Sequence, residues 1–389
     1  MTNEELLAYR TKLVRDAANM RKPDRVPLVS FFVTWKILDA GYSLSEAMND
    51  YSIMEKVVRH HQETYQFDML NDLGVRNPYR LSRALSSDTY CINDAAESVS
   101  VKDITVCDYK DCQGLIDNYQ KYLWEVAMPK KFDWWGPETD LAKVQNAFNE
   151  MMGFMGFNGK IANIMKTEYA VPPRLAPVPM PQIAIENILG FILGMRGTSL
   201  MMRRDKAGLH ALIDSMDAMF FNPALEALKR MPEGQNRNFC FDFLLAMLAH
   251  NFMNPDQFEE FYWPSLKKIL DVLAEKKMNA LIFAEGSILR YKDYLKDYPA
   301  GTITLLPEQD DVFEIRKELP NVAIMGGMPC ELLGHGTKQQ CLDRAKSVLD
   351  EIGKDGGLLF CQDKMGSYRN DANPENLKAV CDFVREYAV

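Results

Sequence analysis

Asn279-Ala280-Leu281-Ile282-Phe283, followed by Ala284-Glu285-Gly286, and Thr302-Ile303-Thr304-Leu305-Leu306, followed by Pro307-Glu308, decide how this chain is read. Both are short apolar runs without polar alternation, the pattern of a strand covered on both faces. Between them, residues 288–295 have helical spacing. The alternation continues outward. Upstream, residues 239–243 read as a strand. Asn254-Pro255-Asp256 then offers an N-cap, a proline at the first helical position and an acid in the first turn of a helix to about residue 277. Downstream, helices at 312–319 and 338–352 alternate with strands at 322–325 and 357–360. Asn373-Pro374-Glu375 opens a last helix to about residue 387. Consecutive βα units mean a parallel sheet.

The front half is less regular. Residues 3–20 and 43–67 have helical spacing, and 26–33 is a β-rich apolar run. Between 85 and 180 the spacing predicts helices near 111–126 and 139–150, then a turn-rich stretch with Pro172, Pro173, Pro177, Pro179 and Pro181. No low-complexity linker bounds this middle, so 111–180 reads as an insertion or lid region within one domain over 1–389. Gly326-Gly327 and Gly356-Gly357 lack GxGxxG spacing, and there is no P-loop, so a doubly wound nucleotide fold is not indicated. The expected fold is α/β, a single (β/α)8 TIM barrel with an N-terminal helix, its chemistry at the carboxyl ends of the strands.

Acidic residues outnumber basic ones by 54 to 45, for a net charge of −9, and no run of five basic residues offsets it. Such a surface repels phosphate backbones and anionic lipid, which excludes nucleic acid and membrane surfaces as expected partners. The apolar stretch 188–195 stops at Arg196, too short for a span, and the acidic N-terminus does not resemble a secretory signal. Eight cysteines without a CxxC pair read as reduced thiols; with 23 methionines they point to the cytoplasm. The oligomeric state stays open, a homodimer included.

Glu285, Glu308, Cys330 and Cys361 stand just after successive strands. Carboxylate and thiolate are acceptable zinc ligands, at about 2.0–2.3 Å. Each residue also has a plainer account. Glu285 can favour the dipole of the helix after it, and Cys361 can be a small core side chain. His335, beyond Cys330, is within reach of the mouth, although a surface loop is the simpler placement. Neither HExxH nor a Ser/His/Asp order occurs. Phe132-Asp133-Trp134-Trp135 and Met151-Met152-Gly153-Phe154-Met155-Gly156-Phe157 form either a helix seam or the wall of a pocket for a flat organic substrate. In the second case Trp134, Trp135, Phe154 and Phe157 line it.

Several short motifs occur in a specific order. They are Arg21-Lys22-Pro23-Asp24-Arg25-Val26-Pro27, Phe258-Glu259-Glu260-Phe261-Tyr262-Trp263-Pro264, Phe283-Ala284-Glu285-Gly286, Gly336-Thr337 and Asn373-Pro374-Glu375-Asn376-Leu377. Together they resemble the uroporphyrinogen decarboxylase superfamily over nearly the whole chain, most clearly after residue 238. The resemblance implies a single barrel. The decarboxylases of that superfamily hold their substrate's carboxylates with an arginine-rich segment. The matching stretch here, Phe31-Phe32-Val33-Thr34-Trp35-Lys36, has no arginine, which speaks against porphyrinogen decarboxylation. The superfamily's methylcobamide:thiol methyltransferases hold zinc with His-x-Cys and a distant Cys, which fall on Phe283, Glu285 and Cys361. Oxygen in place of sulfur leaves an ion that better polarises an ether oxygen.

The resemblance therefore implies a zinc-dependent O-demethylase methyltransferase. It would move the methyl group of a methoxylated aromatic to cob(I)alamin (a corrinoid, cobalamin) on a partner corrinoid protein. Glu285, Glu308 and Cys361 are its expected metal ligands, with Cys330 and His335 not excluded, and Glu308 and Glu285 its expected catalytic acids. The alternatives are a methylcobamide-dependent thiol or folate methyltransferase, and a non-catalytic ligand-binding or corrinoid-docking protein.

Overall fold

The computed structural model describes all residues except 88, 103, 104, 133, 235, 388 and 389. Helix Asn3–Ala18 leads to β1 (Val29–Ser30), which pairs in parallel with β2 (Met69–Leu70). The strands β3 (Tyr90–Asn93) and β4 (Ser98–Val101) form an antiparallel hairpin apart from the main sheet. That sheet is parallel and in chain order: β5 (Phe243–Met247), β6 (Ala280–Ala284), β7 (Ile303–Pro307), β8 (Ala323–Met328) and β9 (Leu358–Gln362). Two parallel bridges extend it. Leu28 pairs with Phe360, joining β1 to β9, and Leu175 pairs with Phe241 just before β5.

Every residue of β6, β7, β8 and β9 is buried, which is why these segments lack polar alternation. The two faces nevertheless separate with period two. Leu281, Phe283, Leu306, Met325, Leu359 and Cys361 join Val29, Phe31 and Met69 in one apolar cluster inside the curve of the sheet. Ile282, Leu305, Ile324 and Leu358 belong to the larger cluster shared with the surrounding helices, among them Leu266, Ile269, Val348 and Val380.

Polar clamps tie the amino ends together. Asp68 is fully buried. It accepts two 2.7 Å hydrogen bonds from the Arg25 guanidinium and one of 2.9 Å from the Leu28 amide, with Arg10 Nε at 3.3 Å. The arginine of the Arg25-Val26-Pro27 motif thus straps β1 to β2. Asn279 similarly donates to the Gly301 carbonyl at 2.8 Å and the Ala18 carbonyl at 3.3 Å, while its amide meets Asp242 Oδ2 at 3.1 Å.

Three helical expectations need correction. Residues 255–277 form two helices, Pro255–Phe261 and Trp263–Glu275, broken at Tyr262. Pro264 lacks the amide a continuous helix needs, and its ring clashes with the carbonyl four residues back. The 139–150 helix runs instead over Leu141–Glu168. Gly153, Gly156 and Gly159 disfavour helix yet sit within it, with nothing close to where a Cβ would stand. The 111–126 helix is broken at Asn118 into Gln113–Asp117 and a helical run that starts at Tyr119 and continues to Lys131. Among the described residues, no helix is long and apolar enough to cross a membrane.

Candidate active site

The parallel ladder continues past the strands. The Glu285 amide donates to the Met247 carbonyl at 3.0 Å, and the Glu308 amide to the Ala284 carbonyl at 3.2 Å. Both carboxylates therefore leave the sheet at the same height, on neighbouring strands and on the inward face set by Phe283 and Leu306. Gly286 follows Glu285. Its φ of +79° and the Asn251 side chain, whose Oδ1 would lie 2.0 Å from a Cβ, admit only glycine here. Its amide donates to Glu308 Oε2 at 2.9 Å. Capping of the next helical turn falls to Asp310, which accepts from Ser287 Oγ and the Ile288 amide at 2.6 Å and the Leu289 amide at 3.0 Å. Glu285 is thus free of the cap role that was its plainer account.

Glu285 is half-buried, and its pKa is raised by desolvation and then by the Glu308 charge, with Arg76 opposing. A third acid stands behind the pair. Glu186, on the turn Ala184–Asn187, accepts from the Tyr262 hydroxyl at 2.7 Å, the Leu248 amide at 2.9 Å and the Ala249 amide at 3.1 Å. Burial still pushes its pKa up to about 7, with Glu285 adding repulsion. The break at Tyr262, imposed by Pro264, leaves that tyrosine between two helices, with its hydroxyl on Glu186. Below the carboxylates, Phe31 and Phe283 meet edge to face at 5.2 Å, and the Arg76 guanidinium lies 5.8 Å over Phe31. Arg174 donates to the carbonyl and, at 2.9 Å, to Oδ1 of Asn71.

Glu186, Tyr262, Arg76 and Arg174 were missed in the sequence. Glu186 had a usable signal, as the one charge in the apolar run 183–193. Tyr262 stood in the Phe258–Pro264 motif without a role, and Arg76 and Arg174 had no signal, because their meaning depends on which strand ends adjoin.

Zinc does not fit the expected ligands. Glu285 and Glu308 come together, but among the described residues no three His, Cys, Asp or Glu side chains converge to hold a metal. The Cys361 thiol is buried in the apolar interior, beside Gln362 Oε1 at 3.2 Å, and burial raises its pKa. Cys330 is buried with a raised pKa, and His335 is exposed at the end of helix Cys330–His335.

The four aromatic residues expected in a pocket pack in separate groups. Phe157 stacks on Tyr51 at 4.6 Å, and Phe154 packs against the core. Trp134 and Trp135 cluster with Trp124 and Phe132. Asp133 lies outside the described residues. Met151, Met152 and Met155 face outward. Helix Leu141–Glu168 touches the mouth through Asn158, which accepts from the Val75 amide at 3.1 Å, next to Arg76.

A cleft of about 1200 Å³ opens at the opposite end of the sheet, beside helix Asn3–Ala18, lined by residues such as Arg15, Arg237 and Lys277. It lies at the amino ends of the strands, where this architecture keeps stability rather than chemistry.

No curated protein matches the chain in sequence. Eighteen chains of solved structures match. One is a methyltransferase from Methanosarcina mazei, with a TM-score of 0.60 and 14% identity, the match covering 97% of this chain and 98% of that one. At that identity the likeness is one of fold. Residues 188–387, just over half of the chain and including Glu285, Glu308 and Cys361, match the family described as uroporphyrinogen decarboxylase. The strand order, the acids at the carboxyl ends and this match agree: the chain belongs to the uroporphyrinogen decarboxylase family.

Proposed function

We propose that this protein is a methyltransferase that cleaves a methoxylated aromatic and passes the methyl group to a reduced corrinoid carried by a separate protein. The scaffold in this reading is a closed eight-stranded barrel. The parallel set runs from β2 through β1, β9, β8, β7 and β6 to β5 and the segment at Leu175, and Arg174 spans the remaining gap to Asn71. Residues 111–180 then act as an insertion over part of the mouth.

The observation that carries the reading is the pair Glu285 and Glu308 on adjacent strand ends above an aromatic floor. Desolvation and the Glu308 charge raise the pKa of Glu285, so Glu285 is the acid that supplies the proton. A flat ring rests on Phe31 and Phe283 with its ether oxygen at that proton. The corrinoid attacks the methyl carbon, the oxygen–methyl bond breaks, and its electron pair stays on oxygen, which takes the proton. Arg76, exposed over Phe31, favours a ring that also carries a carboxylate.

The test is turnover of a methoxybenzoate with cob(I)alamin. E285Q and E308Q are expected to lower kcat by about 10²–10⁴ with a much smaller change in KM, because charge on the leaving oxygen develops in the transition state. Equal turnover in both variants would remove the acids from the reaction. Thiol methylation without ether cleavage would move the protein to the other methyltransferase class.

A further inference from the structure

Residues 106–112 hold a feature that the methyl-transfer reading does not use. The Val106 amide donates to the Ile192 carbonyl at 2.8 Å, anchoring the segment on the helical run that follows Glu186. The Asp111 amide returns to the Asp108 carbonyl at 3.0 Å. That turn brings Cys107 and Cys112 face to face, sulfur to sulfur at 3.4 Å, and only 3% and 4% exposed. The Cys112 thiol also has the Asp108 carbonyl at 3.3 Å.

The surroundings divide the two sulfurs. The Cys107 pKa is lowered, first by the hydrogen bond from Cys112, against desolvation, with the Tyr122 hydroxyl and the Lys130 ammonium adding to it. Lys130 Nζ is held nearby by the Val106 carbonyl at 3.3 Å. The Cys112 pKa is raised by the same contact and by burial. Cys107 follows Val106, whose carbonyl holds the Lys130 ammonium, while Cys112 is tied to the Asp108 carbonyl, which assigns Cys107 as the nucleophile and Cys112 as the resolving thiol. Cys240, Cys330, Cys361 and Cys381, by contrast, are buried thiols whose pKa burial raises.

We propose that Cys107 and Cys112 form a peroxide-responsive dithiol that closes to an intramolecular disulfide. The Cys107 thiolate attacks one oxygen of hydrogen peroxide, the O–O bond breaks, and hydroxide leaves with the proton Cys107 gave up, as water. The sulfenic acid so formed is attacked by Cys112, its S–O bond breaks, and the oxygen leaves as water with the Cys112 proton. Two electrons pass from the sulfurs to the peroxide, which becomes two waters. The sulfurs need to approach by about 1.4 Å to reach a bond of about 2.05 Å.

The test uses the full chain, treated with peroxide while folded, then denatured and titrated for thiols. The count is expected to fall from eight to six and to return with dithiothreitol. Trypsin cuts after Lys102, Lys110 and Lys121, so peptide 103–110 should be found joined to 111–121. In C112S the resolving thiol is gone, and dimedone should label Cys107. That readout stands even if C107S does not fold. Eight free thiols after treatment, a disulfide through exposed Cys91, or dimedone on another cysteine would each overturn the proposal.

Discussion

Glu186 receives hydrogen bonds from one hydroxyl and two amides, yet burial beside Glu285 keeps its pKa at about 7. In the unfolded chain it titrates near 4.5, so the folded state holds the extra proton between about pH 4.5 and 7. Stability is highest at the acid end of that window and falls as pH rises through it, by roughly 3 kcal/mol at most. Gln at this position is neutral at every pH. E186Q is therefore expected to match the wild type near pH 4.5 and to exceed it by roughly 2–3 kcal/mol at pH 8, in urea unfolding at the two values. A difference that does not change with pH would contradict the assignment. Glu285 and Glu308 were legible in the sequence because each directly follows an apolar run. The neighbours that tune them were not, since Tyr262 and Arg76 reach the site only through folded loops. Cys361 shows the converse limit: its place after a strand was readable, but the apolar company of its thiol was not.

At the level of elements, the βα units from β6 onward were readable because strands buried on both faces leave continuous apolar runs, and the helices carry caps such as Asn254 and Asn373, whereas the strand expected at 239–243 lies at Phe243–Met247, where burial alternates. The middle was not readable, because Gly153, Gly156 and Gly159 argue locally against the helix that contains them. The two-residue strands β1 and β2 are held by a polar strap that no periodicity reveals. Asp68 is fully buried between Arg25 and Arg10, and removing it leaves two poorly compensated cations. D68A is expected to cost about 3–5 kcal/mol in denaturant unfolding. A loss below about 1 kcal/mol, the worth of a surface pair, would show that the strap is incidental.

On the scale of the whole molecule, single bridges link the five-stranded sheet to β1 and to the Leu175 segment, and in the proposed barrel Arg174 reaching Asn71 closes the ring. R174A is expected to lower stability by about 1–3 kcal/mol, the cost of leaving Asn71 oxygens unsatisfied, with helical content unchanged by circular dichroism. A gain in stability would place closure elsewhere. The parallel sheet matters because it sets Glu285 and Glu308 on adjacent strand ends, on the face that carries Phe283 and Phe31. The most direct measurement is a single turnover with a ¹³C-methoxy benzoate, excess enzyme and cob(I)alamin, repeated with E285Q. Methyl transfer by this site predicts ¹³C-methylcobalamin and free phenol in equal amounts for the wild type, and neither at a comparable rate for the variant. Phenol without methylated corrinoid, or wild-type yields of both from E285Q, would contradict the account.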